Sequence, residues 1–107
     1  MFAATKSNAY PVKDGRSGQE GPMNRGKLLR RLSRGDLQNV GFNDMVNLVE
    51  GFGFGLARVS GAHHIFTHPG IPELVNLQEA RGEAKPYQIR QFLRLVERYD
   101  LRLEEEA

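Results

Sequence analysis

The feature that most constrains this chain is the apolar stripe Ile89, Phe92, Leu93, Val96 and Tyr99, which follows Pro86 and repeats at the spacings of one helix face. Proline has no N–H to lose in a first helical turn, so Pro86 suits the start of this helix. Arg90, Arg94 and Arg98 recur at spacings of four on the other side. Such a helix has to lay its stripe on a second apolar layer. A helix with the same need comes earlier, where Phe42, Met45, Val46, Val49 and Phe52 share a face, Asn43 or Asp44 serves the first turn, and Gly51 and Gly53 close it.

Between these helices the period changes from about 3.6 to 2. Phe54 to Ser60 reads as a short strand, with Phe54, Leu56 and Arg58 on one side and Gly55, Ala57 and Val59 on the other. The turn Ser60-Gly61-Ala62 folds it back onto His63-His64-Ile65-Phe66-Thr67-His68, and Pro69-Gly70 ends that run. Glu73 to Gln78 alternates well enough for a third strand at an edge, and Arg81 to Ala84 reads as a polar connection. Two amphipathic helices and three antiparallel strands bury both stripes most simply as a two-layer α+β fold, with the helices on one face of the sheet.

Upstream, Leu28, Leu29 and Leu32 predict one further, narrow-striped helix that ends at Gly35. Every charged residue from Arg25 to Arg34 is basic, whereas Glu104 to Glu106 are acidic and are expected to fray. Lys27, Arg30, Arg31 and Arg34 read either as a solvated helix face, the ordinary role of a charge run, or as an arm that contacts phosphates. Residues 1–22 hold Pro11, Pro22, Gly15, Gly18 and Gly21 among polar residues without a period, and read as a disordered leader. Residues 23–107 are then a single domain.

All three histidines fall between positions 63 and 68. Histidine is the side chain that exchanges a proton near neutral pH, which makes this run the place to look for chemistry. In a strand, His63, Ile65 and Thr67 share one face and His64, Phe66 and His68 the other, so only one of His63 and His64 can face a substrate. Phe66 marks the His64 side as the buried one. A lone strand histidine is usually structural, and His68, beside Pro69, belongs with the turn.

Composition removes other classes. The 107 residues contain no cysteine, which excludes a disulfide framework and a thiolate zinc site. His64 and His68 sit four apart along one strand, too far for easy chelation, and no nearby Asp or Glu completes a tetrahedral set, so neither metal nor cofactor is expected. No run approaches the roughly eighteen apolar residues of a membrane span, and the first twenty residues lack the apolar segment of a signal peptide. A soluble cytoplasmic protein is expected. Fifteen Lys and Arg against thirteen Asp and Glu leave a charge of only +2, a weak argument for nucleic acid by itself.

The helix ending in Gly51-Phe52-Gly53-Phe54, the following strand, the run Ser60-Gly61-Ala62-His63-His64-Ile65-Phe66-Thr67-His68-Pro69 and the later Lys85-Pro86 together resemble the HicA-type toxins of bacterial toxin-antitoxin pairs. The resemblance covers roughly residues 42–101. It implies a fold similar to a double-stranded RNA-binding domain and a metal-independent endoribonuclease, an mRNA interferase of a type II pair, restrained by a cognate HicB-type antitoxin. It also implies that His63 is the catalytic histidine, with His64 its competitor, and that Arg58, Lys85 and Arg90 meet the RNA phosphate. Two positions depart from the family pattern. Ala62 stands where a serine is usual, and Leu77-Gln78-Glu79 stands where the third strand commonly ends in Pro-x-His. The other readings are a non-catalytic RNA-binding module and a domain that binds only a protein partner.

Overall fold

The structure, a computed structural model, describes residues 24–104. The leader assigned to residues 1–22 lies outside the described residues, as do Glu105 and Glu106. The elements run α1 (Arg25–Ser33), α2 (Phe42–Gly51), β1 (Gly55–Ser60), β2 (His63–His68), β3 (Ile71–Ala80), β4 (Glu83–Ala84) and α3 (Pro86–Arg98). The strands form one antiparallel sheet in the order β1-β2-β3-β4. One face of it contributes Phe66, Val75 and Leu77 to a core shared with Leu28, Leu32, Met45, Leu48, Val49, Ile89 and Phe92 of the helices. This is the α+β fold with helices on one face that periodicity predicted, with a short fourth strand added.

The extra strand corrects one expectation. Arg81 and Gly82 both take positive φ, 57° and 80°, the conformation that joins two strands through a two-residue turn and that glycine adopts without a Cβ penalty. The stretch read as a polar connection is therefore a hairpin, with Glu79 opposite Ala84 and Ala80 opposite Glu83. The segment entering α2 closes the sheet beyond β4, since the Ala84 N–H donates to the Val40 carbonyl at 2.9 Å and the Phe42 N–H to the Gly82 carbonyl at 2.8 Å. β3 is also longer than expected and takes in Pro72, which fits because the pairing with β2 slips between Phe66 and His68 and leaves that position outside the regular ladder.

In α2 the buried face is Phe42, Met45, Leu48 and Val49, while Val46 is half-buried. Leu48 was absent from the predicted stripe. The helix is covered by α1 as well as by the sheet side, so its apolar face is broader than one stripe. In α1 the N-terminus is capped by Asn24, whose side-chain oxygen accepts from the Lys27 N–H at 3.1 Å. Two of the basic residues around it are tied into the fold. The Arg25 Nε donates to the Asn47 carbonyl at 2.8 Å, and Arg31 bonds the Gln38 carbonyl and the Asp36 carboxylate. Lys27, Arg30 and Arg34 are exposed. The acidic C-terminal run starts less freely than expected, because the Glu104 N–H donates to the Gly51 carbonyl at 2.7 Å beside the buried Leu103.

Three polar contacts fasten α3 and the residue that follows it to β3. Past the end of β4, the Gln78 N–H has no strand to pair with, and the buried Gln88 side chain accepts from it at 2.7 Å. Replacement by leucine at position 88 orphans that N–H, and chemical denaturation of Gln88→Leu is expected to show a loss of about 1–3 kcal/mol. At the other end, the Tyr99 hydroxyl donates to Glu73 Oε1 at 2.6 Å and Arg98 Nη1 donates to Oε2 at 3.0 Å. The Tyr99 bond first, and Arg98 after it, hold the Glu73 carboxyl below its ordinary 4.5, while the same bond holds the Tyr99 phenol above its ordinary 10.0. A lowered carboxyl stabilises the fold above its ordinary value and loses that contribution as pH falls through the folded value; a raised phenol contributes below its ordinary value and loses it as pH rises through the folded one. Thermal melts of native and Tyr99→Phe protein should therefore differ most between about pH 5 and pH 9 and converge on both sides of that window.

Candidate active site

Strand β2 starts from a tight turn at Gly61, whose φ is +61°. Its register sets two rows across the sheet. Ser60 of β1, His63 of β2 and Gln78 of β3 lie opposite one another, and in the next row so do Arg58, Ile65 and Asn76. Residues opposite one another in an antiparallel pair share a face, so both rows lie on the side of the sheet away from Phe66 and Leu77. That side carries no helix among the described residues.

Arg58 reaches this face only because β1 is irregular. Simple alternation places Arg58 with Phe54 and Leu56. The pairing instead shifts between Leu56 and Arg58, so Leu56 stands opposite Phe66 on the covered side and Arg58 opposite Ile65 on the open one. One extra residue in a bulged strand turns every later side chain to the other face. Arg58 is the one charged residue of the two rows. Lys85 is the N-cap residue of α3 and half-buried, and Arg90 is exposed on α3. Since α3 packs Ile89 and Phe92 into the core on the Phe66 side, neither shares the rows of His63.

The three histidines have separate surroundings. His63 is half-exposed on the open face, with Nδ1 3.3 Å from Asn76 Oδ1. His64 points to the covered face, where its ring meets Phe42 edge-on at 4.8 Å and Nδ1 lies 3.3 Å from the Ala62 carbonyl. His68 meets Phe54 edge-on at 5.0 Å, and its Nδ1 accepts from the Gly70 N–H at 2.9 Å, which makes it part of the turn. Gly53 makes room for this ring: its φ is +96°, and a Cβ there would lie 3.1 Å from His68 Nε2. No three His, Cys, Asp or Glu side chains gather as metal ligands among the described residues.

Alternation along β2 foretold the division between His63 and His64. It did not reveal Asn76, an ordinary outward position of a third strand until the register places it beside His63. The division also separates the two side chains energetically. Removing the His64 ring takes an aromatic pair out of the covered layer, so His64→Ala should lower stability by about 1 kcal/mol. His63→Ala, on the open face, should change it by no more than about 0.5 kcal/mol in the same denaturation experiment.

Comparison with curated proteins and with solved structures finds no match. A family model described as the HicA toxin of bacterial toxin-antitoxin systems matches residues 42–97, just over half of the chain. Among the described residues, no helix is long and apolar enough to cross a membrane. The match runs from the first residue of α2 through nearly all of α3 and so takes in every element that holds His63 in place, while α1 lies before it: the chain belongs to the HicA family of toxins from bacterial toxin-antitoxin systems.

Proposed function

We propose that this protein is an endoribonuclease toxin, an mRNA interferase of a type II toxin-antitoxin pair, acting in the cytoplasm with His63 as its catalytic group and without a metal. The observation that carries this reading is the separation of faces. His64 and His68 turn toward aromatic rings of the covered layer, whereas His63 stands on the open face with polar neighbours and one cation. An RNA strand lying across the two rows brings a ribose 2′-hydroxyl to the His63 imidazole. The ring takes the hydroxyl proton, the 2′-oxygen attacks the adjacent phosphorus, and the bond to the 5′-oxygen breaks, leaving a cyclic phosphate and a free 5′-hydroxyl. Such proton transfer contributes roughly 10²- to 10⁴-fold. Arg58, one strand away, stabilises the charge that collects on the phosphoryl oxygens. Lys85 and Arg90, outside the rows, serve as more distant contacts for the RNA backbone. His64, the alternative catalytic residue by position, is the weaker candidate because its ring faces Phe42. A HicB-type antitoxin restrains the toxin by covering the His63 face.

The second reading, a non-catalytic RNA-binding module, draws on Leu77-Gln78-Glu79, which stands where the third strand of family members commonly ends in Pro-x-His. The two differ in outcome. Native chain expressed without antitoxin should arrest growth and cleave RNA in vitro, and His63→Ala should do neither while still binding RNA with an affinity that falls steeply with salt. A native chain that binds RNA but leaves it intact and cells growing establishes the binding module instead.

A further inference from the structure

We propose that Asn76 is the positioning residue of His63: its side-chain carbonyl holds the imidazole with the proton on Nδ1 and thereby presents the Nε2 lone pair to the substrate. This rests on the reading of His63 as the group that takes the 2′-hydroxyl proton. The register makes the pair possible. Asn76 is opposite Ile65 and His63 opposite Gln78, so Asn76 and His63 are diagonal neighbours on one face of adjacent strands, a separation that long side chains bridge. The strand register is itself pinned from the other face, where the fully buried Phe66 and Leu77 alternate with these two residues.

In a neutral imidazole one nitrogen carries the proton, and which one is decided by the hydrogen bond that the other makes. The contact here is between Nδ1 and Asn76 Oδ1 at 3.3 Å. A carbonyl oxygen can only accept, so Nδ1 is the donor and Nε2 is left unprotonated. Among the described residues no other side chain bonds this ring. The same strand shows that local partners choose the tautomer. His64 Nδ1 lies against a carbonyl and must donate, whereas His68 Nδ1 accepts from an N–H and so leaves its proton on Nε2.

The consequence falls on one step. The 2′-hydroxyl proton passes to Nε2, the bond from the 2′-oxygen to phosphorus forms as the bond to the 5′-oxygen breaks, and the departing oxygen takes a proton from the imidazolium or from water. A ring with its proton on Nε2 offers no lone pair there. Rotation of an exposed ring is also restrained by the Asn76 contact, so Asn76 acts on the rate of the step rather than on RNA affinity.

The test uses the full-length protein with ¹⁵N-labelled histidine, observed by NMR at a pH where His63 is neutral, alongside RNA cleavage. The native His63 ring should rest as the Nδ1–H tautomer. Asn76→Ala should shift it to a mixture and lower kcat roughly 10- to 100-fold with little change in KM. Asn76→Asp keeps an acceptor and should retain both the tautomer and most of the rate. An Nε2–H native ring, or a tautomer that Asn76→Ala leaves unchanged, overturns the proposal; should Asn76→Ala not fold, the native spectrum decides it. A tautomer that follows residue 76 in a chain that cuts no RNA upholds the positioning and removes the nuclease reading instead.

Discussion

Burial of Phe66 is the interaction on which the rest of this structure depends. Its ring is fully enclosed between the sheet and the helical layer, together with Leu77 and Phe92. A strand that commits one side chain to the core commits its neighbours as well, because a one-residue slip sends every side chain to the wrong face. With Phe66 inside, His64 and His68 must follow it and His63 must face outward. The open face that carries His63 is in that sense a by-product of packing on the opposite side of the same strand.

Alternation alone would not have completed the open face. Arg58 arrives there through the irregular pairing of β1, and Asn76 through the register of β3. The two irregularities, between Leu56 and Arg58 and between Phe66 and His68, both lie at the end of the hairpin away from the Gly61 turn, and the regular part between them and the turn carries both rows. Bulges commonly sit beside functional sites because they re-aim a side chain without altering the core. The glycines at 53 and 61 serve the same hairpin, one by leaving room for the His68 ring and the other by allowing the tight turn before β2.

The HicA match covers α2 through α3, and α1 is held to it by the buried Leu28 and Leu32 and by Arg25, whose Nε donates to the Asn47 carbonyl. Arg31, which a sequence reading assigns to a solvated or phosphate-contacting face, bonds the Gln38 carbonyl after the helix instead. A long basic side chain near a helix–helix junction can satisfy carbonyls that water would otherwise serve, and spacing along a helix carries no information about which arginine will do so.

The sequence by itself determined the element types, the two-layer α+β arrangement and the facing of the histidines, because those follow from periods of 3.6 and 2 and from where glycine and proline interrupt them. It did not contain Leu48 as core, the Arg81-Gly82 hairpin, or the partnership of Gln88 with Gln78. Each of these depends on a neighbour distant along the chain: a helix packed on two sides, a strand edge closed by residues 40–42, an N–H left over where β4 ends. The company His63 keeps was likewise decided by the tertiary structure alone, since register between strands is set by the fit of the buried face and no local pattern in β2 records what β1 and β3 bring alongside it.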